Sequence, residues 1–161
     1  MAVERKLRMG MVGGGPGAFI GPVHKMAAEL DGKIELVAGA FSQSAERSRA
    51  AGKSFGIDPG RAYADYREMI AAERKRPGGI DFVVIATPNH LHLPVAKAAL
   101  EAGIAVMSDK PATATYAEAI TLERAVRKSG LPYGLTHTYA GYALVRDCLL
   151  YTSGGRMWTG G

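Results

Sequence analysis

The stretch Leu7-Arg8-Met9-Gly10-Met11-Val12-Gly13-Gly14-Gly15-Pro16-Gly17-Ala18 decides the fold of this chain. Its first half, residues 7–12, is a short and largely apolar run of the kind that forms a β-strand. A turn rich in glycine follows, and residues 18–30 then carry apolar side chains at a spacing compatible with a helix. The chain is therefore predicted to begin with a strand, a glycine turn and a helix.

The rest of the chain repeats this alternation. Strands are predicted at 34–41, 80–86, 104–107 and 131–136, and helices at 44–55, 90–102 and 115–129, with a short helix after residue 65. Capping-box spacing at 65–68 and 115–118 precedes two of these helices. The order of elements predicts an α/β fold of the Rossmann type, a doubly wound and mostly parallel sheet with helices on both faces.

Length and composition narrow the class of protein. The 161 residues fit one domain, and 20 Lys+Arg against 15 Asp+Glu give a net charge of +5. The basic residues are spread along the chain without interleaved aromatic side chains, so no nucleic-acid partner is expected. No stretch reaches the roughly 18 apolar residues of a membrane span, and the single Cys148 excludes an internal disulfide. We expect a cytoplasmic protein without a membrane segment or a metal site.

The glycine turn matches the pattern G-x-G-x-x-A, with Gly13, Gly15 and Ala18 in its fixed positions. In that pattern the first glycine makes the turn, the second lets a pyrophosphate approach the backbone, and the last small residue allows tight helix packing. The turn favours a dinucleotide site, and a purely structural turn is the alternative. The cofactor contacts predicted here are Gly13, Gly15, Pro16, Gly17, Ala18, Phe19 and Ile20.

The end of the second strand decides which dinucleotide is expected. An acidic side chain at that end usually accepts a hydrogen bond from the ribose 2′-OH of NAD. Here the strand ends in Phe41-Ser42-Gln43, and Glu35 lies at its opposite end. Ser42, followed by Arg47 and Arg49, can accommodate a 2′-phosphate, which slightly favours NADP over NAD as the cofactor. The alternative is that both arginines lie on a solvated helix face.

Two further polar segments follow predicted strands, at the carboxyl edge where open α/β sheets bind ligands. The first is Thr87-Pro88-Asn89-His90-Leu91-His92, whose polar groups can line a cofactor channel; Asn89 as a plain helix cap and His92 as a surface residue are the alternatives. The second is Ser108-Asp109-Lys110-Pro111, in which Lys110 is a candidate catalytic cation or an ordinary exposed lysine. The cofactor contacts predicted in these segments are Thr87, Pro88, Asn89, His92, Lys110 and Pro111.

Taken together, the segments 13–21, 87–92 and 109–111 resemble the motifs of the Gfo/Idh/MocA oxidoreductases, the group of glucose-fructose oxidoreductase and inositol dehydrogenase. The order and spacing match from about Lys6 to Tyr142. The resemblance implies an N-terminal NAD(P)-binding Rossmann domain, with Lys110 near the nicotinamide and the substrate hydroxyl. It also implies a cis bond between Lys110 and Pro111, which is frequent in this family.

The resemblance further implies hydride transfer between a nicotinamide and a sugar or polyol carbon. A histidine of a second domain commonly acts as the acid/base in this family, and the sequence is expected to stop before that domain. His137 and Tyr139 follow the last predicted strand and can line the substrate side, although they do not match the motif of the missing domain. The expected partners are a sugar or polyol substrate and further copies of the protein, bound through the missing domain.

The sequence divides at its last predicted strand. Residues 1–138 are predicted to form the NAD(P)-binding domain, and residues 139–161 the start of a crossover to a missing second domain. The crossover helix is expected to begin at 142–147, and the residues from about 148 differ from the family, which indicates a truncated or misread C-terminus or a natural short tail. Two other interpretations stay open: a non-catalytic NAD(P)-binding module and an inactive truncated fragment.

Overall fold

The computed structural model describes residues 5–15, 17–145 and 148, in which strands alternate with helices. The strands are β1 (Leu7–Gly13), β2 (Ile34–Ala40), β3 (Phe82–Ala86), β4 (Ala105–Ser108) and β5 (Tyr133–Leu135). The α-helices are α1 (Ile20–Glu29), α2 (Ala45–Ser54), α3 (Tyr66–Lys75), α4 (His92–Glu101) and α5 (Tyr116–Ser129). Short 3-10 turns lie at Pro59–Arg61, Asn89–Leu91 and Thr138–Gly141.

The five strands form one sheet in the order β2-β1-β3-β4-β5, and every neighbouring pair is parallel. A single parallel bridge between Gly39 and Ala62 extends the sheet beyond β2. The chain moves outward from β1 to β2 and then returns to place β3 on the other side of β1. This reversal is the switch point at which open α/β sheets bind ligands. The predicted doubly wound parallel sheet is confirmed.

Side chains alternate between the two faces of the sheet, and each face has its own core. Met9, Met11 and Val84 belong to the core that α1 and α2 cover, where Phe41 and Ala51 also lie. The other core is covered by α3, α4 and α5, and its largest buried members include Val12, Met69, Val83, Ile85, Val95 and Leu122. Neighbouring residues of a strand point to opposite faces of the sheet. Since helices cover both faces, strands whose residues are almost all apolar are buried on both sides.

Polar side chains set where several helices begin. The Ser44 hydroxyl accepts a hydrogen bond from the Arg47 amide at 3.3 Å at the start of α2. Thr115 and Glu118 form the predicted capping box before α5. At α3 the expected box takes another form, because the Asp65 carboxylate accepts from the amide of the second helical residue, Arg67, at 2.6 Å.

Several element boundaries differ from the prediction for local reasons. The helix expected from residue 18 begins at Ile20, because the Ala18 amide first closes a turn onto the Gly15 carbonyl at 2.9 Å. The helix expected from residue 90 begins at His92, after a 3-10 turn. The strand expected from residue 80 begins at Phe82, because the Asp81 carboxylate accepts from the Arg8 amide at 2.7 Å.

The segment after β5 bears on the predicted crossover. Residues 143–145 are helical, as expected for the start of a crossover helix. Residues 146, 147 and 149–161, on which most of the predicted tail falls, lie outside the described residues. In the described part of the chain, no helix is long and apolar enough to cross a membrane.

A buried carboxylate links α3 to the segment that carries the bridge. Glu73 on α3 is 1% exposed, and its oxygens accept from the Arg61 guanidinium at 2.5 and 3.1 Å and from the Tyr63 hydroxyl at 2.9 Å. Burial and the neighbouring Glu73 carboxylate raise the pKa of Tyr63, so its hydroxyl stays a donor. This network holds Ala62 beside β2, where a single bridge replaces a full strand ladder.

Replacing Arg61 by alanine should therefore lower the free energy of unfolding by much more than the loss of an exposed ion pair does. The substitution leaves the buried Glu73 carboxylate with only the more distant Arg76 guanidinium, at 3.7 Å, and breaking a buried ion pair typically costs about 3–5 kcal/mol. Tyr63→Phe is the matched control, because it removes one hydrogen bond worth about 1 kcal/mol. Urea unfolding of both variants measures the difference, and an Arg61→Ala cost no larger than that of Tyr63→Phe would contradict this account.

Candidate functional site

The three motif segments meet at the carboxyl edge of the sheet. A groove of about 690 Å³ follows the glycine turn and is lined by Gly13, Gly15, Ala18, Ser42, Arg47 and Pro88, among others. A second groove of about 320 Å³ lies between the ends of β2 and β3 and shares Gly13, Phe41, Ser42 and Pro88 with the first. The two grooves are therefore continuous along the switch point.

The glycine turn brings backbone close to backbone. Gly13 has φ +77°, and a Cβ atom there would lie 2.5 Å from the Ala86 carbonyl oxygen. Gly14 has φ +67°, and a Cβ at Gly21 of α1 would lie 1.8 Å from the Gly14 oxygen. A side chain at Gly13 or Gly21 would therefore clash with main-chain atoms that cannot rotate away.

These contacts correct one predicted role. Ala18 was expected to allow tight packing of the helix, but Ala18 is exposed and lines the groove. Gly21, one turn further along, makes the close contact instead. The sequence signal for Gly21 is a glycine inside the first helical turn, where a glycine otherwise destabilises a helix.

The remaining predicted contacts of the turn lie around the start of α1. Pro16 lies outside the described residues. Gly17 has φ +92°, with nothing within 4 Å of the position of a Cβ atom. Phe19 is 86% exposed at the cap position, and Ile20 is the half-buried first residue of the helix. Phe19 offers no side-chain cap, so the first amide groups of α1 are available to an anion.

Ser42 and Arg47 reach the same groove from the end of β2. Ser42 follows Phe41 directly, and its hydroxyl accepts from the Ser44 amide at 3.2 Å. Arg47 lies in the first turn of α2 and lines the groove, whereas Arg49 is exposed and does not line it. Glu35 lies at the opposite end of β2, beside Arg8 of β1 in the strand register. The structure thus places a hydroxyl group and a cation at this end of the strand. Residues 41–44 include no acidic side chain.

The segment after β3 divides into exposed and buried parts. Pro88 and Asn89 are exposed, and Asn89 begins a 3-10 turn, so the alternative that Asn89 simply caps α4 is wrong. Leu91 holds the cap position of α4. The Thr87 Oγ1 atom is buried without a hydrogen-bond partner beside the second groove. A hydroxyl in that state is suited to a polar ligand atom.

His92 neither lines a groove nor lies on the surface, which were the two alternatives for it. It is 1% exposed, which rules out the surface alternative, and neither groove is lined by it. Its Nδ1 and Nε2 atoms lie 2.6 and 2.9 Å from the carbonyl oxygens of Pro111 and Thr87. The interpretation of His92 as a lining residue is therefore corrected: it lies behind two loops and contacts both.

Lys110 stands at the end of β4, next to the residues that follow β5. The peptide bond between Lys110 and Pro111 is cis, as the family resemblance implied. A groove of about 490 Å³ is lined by Lys110, Pro111, His137, Tyr139 and others, so the structure brings together the residues expected on the substrate side. Lys110, His137 and Tyr139 are all exposed, so this groove is open to water.

His24 is a residue that the sequence reasoning missed. It lies one turn into α1, and its Nε2 atom is buried without a hydrogen-bond partner. Burial lowers the pKa of His24, against an opposing effect of the Asp109 carboxylate, so the imidazole is neutral near pH 7. The signal in the sequence was a lone histidine in the helix that follows a glycine turn.

The arrangement fits a dinucleotide. At the glycine turn, the glycines place no Cβ atoms between the groove and their backbone. The first amides of α1 can receive a pyrophosphate. The Thr87 hydroxyl has no hydrogen-bond partner. The two connected grooves lie on the β2 side of the switch point, and the Lys110 groove lies on the β4 and β5 side. A ligand with two nucleotide halves can therefore extend across the sheet edge toward Lys110.

Comparison with known proteins supports this assignment. A family model described as an oxidoreductase family with an NAD-binding Rossmann fold, GFO_IDH_MocA, matches residues 7–137. The uncharacterized oxidoreductase YfiI of Bacillus subtilis is 41% identical over 140 residues, which are 86% of this chain and 36% of YfiI.

Solved structures give the same result. An oxidoreductase from Sinorhizobium meliloti is 46% identical with a TM-score of 0.86, and the match covers 94% of this chain and 42% of that protein. An inositol dehydrogenase homolog from Azotobacter vinelandii, complexed with NADH and myo-inositol, is 40% identical with a TM-score of 0.87, over 93% and 40% of the two chains.

The chain thus spans about two fifths of the length of these relatives. The matched part includes the whole parallel sheet and the glycine turn. By its sequence and its fold, the chain belongs to the Gfo/Idh/MocA family of oxidoreductases, of which it contains the NAD-binding Rossmann fold.

Proposed function

We propose that this chain is the cofactor-binding part of an NAD(P)-dependent oxidoreductase that acts on a hydroxyl group of a sugar, a polyol or a related compound. The observation that carries the proposal is the meeting of the glycine turn and the Lys110 turn at one edge of the sheet. The relative from Azotobacter vinelandii, with NADH and myo-inositol bound, supports this substrate class.

The glycine turn and the first amides of α1 would hold the pyrophosphate. Gly15 lines the groove and has no side chain, so a pyrophosphate could approach its backbone closely. Ser42, Thr87 and Pro88 line the groove expected to hold the adenosine half. The full set of proposed cofactor contacts is Gly13, Gly15, Pro16, Gly17, Ala18, Phe19, Ile20, Ser42, Arg47, Thr87, Pro88, Asn89, Lys110 and Pro111.

Lys110 is the proposed catalytic residue. A bound nicotinamide supplies the position that accepts or returns the hydride. The Lys110 ammonium, in the groove with His137 and Tyr139, would donate a hydrogen bond to the reacting oxygen and stabilise negative charge that develops there. The exposed groove needs a cover to exclude water, which a second domain would supply.

A non-catalytic NAD(P)-binding module or an inactive fragment is the second candidate for the 161-residue chain itself. The open Lys110 groove favours it, because hydride transfer requires substrate held at roughly 3–3.5 Å in a site from which water is excluded. We also propose a cytoplasmic location, no nucleic-acid partner, and oligomers that form through the second domain.

The experiment that tests cofactor binding is a fluorescence titration with NADH and NADPH. Gly15→Val should weaken binding at least tenfold, or about 1.4 kcal/mol, because the side chain would occupy the space of the pyrophosphate. Gly141→Val is the matched control, since nothing lies within 4 Å of a Cβ atom there. Unchanged affinity in a folded Gly15→Val chain would remove the turn from the site.

The cofactor preference is tested at the end of β2. Without an acidic residue at 41–44, we expect NADPH to bind at least as tightly as NADH. A charge-assisted hydrogen bond contributes about 1.5–3 kcal/mol, so Arg47→Ala should weaken NADPH binding about tenfold and leave NADH binding unchanged. Arg49→Ala, from the same helix but outside the groove, serves as the control. A tenfold preference of the unchanged chain for NADH would refute the assignment.

The catalytic role of Lys110 is tested by joining this chain to the second half of a relative. Lys110→Ala should lower kcat by at least a hundredfold, in the range found for a lost transition-state donor, and should weaken NADH binding far less than that. The 161-residue chain alone should bind cofactor and oxidise no sugar or inositol in a single-turnover assay. An unaltered kcat, or turnover by the short chain, would count against this mechanism.

A further inference from the structure

His92 is buried at the first position of α4, between two loops that the proposed function uses. The Nδ1 atom lies 2.6 Å from the carbonyl oxygen of Pro111, and the Nε2 atom lies 2.9 Å from that of Thr87. Thr87 follows β3 and Pro111 follows the catalytic candidate Lys110, so one ring spans the ends of two neighbouring strands. Its contacts are to main-chain atoms, whose positions set those of the side chains.

The contact at Pro111 falls where the strand pairing has ended. The Asp109 amide donates to the Ile85 carbonyl at 2.9 Å, which closes the last rung between the two strands. Lys110 is the next residue and is exposed, and the His92 ring meets the carbonyl of the residue after it. Lys110 therefore stands between a backbone anchor on one side and a histidine anchor on the other.

We propose that His92 is a positioning residue that fixes the backbone of Lys110 through the Pro111 carbonyl; this inference rests on the proposed catalytic role of Lys110. Both partners of the ring are carbonyl oxygens, which only accept hydrogen bonds, so a ring nitrogen bonds its partner only when that nitrogen carries the proton. We assign the proton to Nδ1, whose contact to Pro111 is the shorter of the two, and this hydrogen bond carries the positioning effect. The Nε2 atom packs against the Thr87 carbonyl behind the two loops.

The His92 contact affects how precisely the Lys110 ammonium group is placed. A lysine side chain has many rotamers, so its reach toward a substrate oxygen depends on a fixed Cα position. A displacement of about 1 Å in a catalytic group can cost a hundredfold in rate. Loss of the His92 contact would free the turn at Pro111 while leaving the strand register intact.

Substituting His92 by asparagine or by glutamine tests its two contacts separately. The amide nitrogen of asparagine lies near the position of Nδ1, and that of glutamine lies near the position of Nε2. His92→Asn should therefore keep the contact to Pro111, whereas His92→Gln should keep only the contact to Thr87. His92→Leu removes both, and Leu36→Ala, in the core on the other face of the sheet, is a control for lost stability alone.

The measurement is the ¹H–¹⁵N NMR spectrum of the 161-residue chain, with NADH titrated in parallel. We expect the amide signals of Lys110 and Ala112 to move in His92→Leu and His92→Gln, and to stay near their original positions in His92→Asn and Leu36→Ala. Equal shifts in the asparagine and glutamine variants would overturn the proposal. If His92→Leu does not fold, the asparagine and glutamine pair decides alone. Failure of the unchanged chain to bind NADH would refute the proposed function and leave the NMR comparison of His92 intact.

Discussion

The close passage of α1 over the glycine turn is the contact on which the site depends. At Gly21 the helix backbone comes so near to the Gly14 carbonyl that a Cβ atom would lie 1.8 Å from the oxygen. That approach fixes the direction of α1 relative to β1, and with it the direction of the helix amides at the switch point. The course of the groove along the turn follows from two residues that lack side chains.

Much of this architecture was readable from the sequence because it depends on local patterns. The apolar run at 80–86 and the glycines after β1 are short signals with few alternative structures. Gly21 was missed because the sequence pattern assigns the small packing residue to position 18, whereas the close approach occurs one turn later. His92 was misjudged because its role arises between segments that are distant along the chain. His92 lies 19 residues from Pro111, and nothing in the spacing of 87–92 indicates that its ring turns inward.

The two sides of the switch point differ in how complete they are. On the β2 side, grooves lined by Phe41, Ser42 and Thr87 are shaped within this chain. On the β4 side, Lys110 and Tyr139 face water. In the proposed function, binding a cofactor and enclosing a substrate are therefore separable tasks. The first would depend on backbone geometry that this fold supplies, and the second on a surface outside the described grooves.

The single bridge between Gly39 and Ala62 has a consequence for the behaviour of the chain in solution. A long outer strand beside β2 would present a row of unpaired amides and carbonyls, which is a template for pairing with other molecules. Here the bridge, held by the buried Glu73 network, occupies the carboxyl end of the β2 margin without adding a further strand. The opposite margin, β5, is only three residues long. The bridge at one border and the short strand at the other therefore limit the length of strand that is open to intermolecular β-pairing.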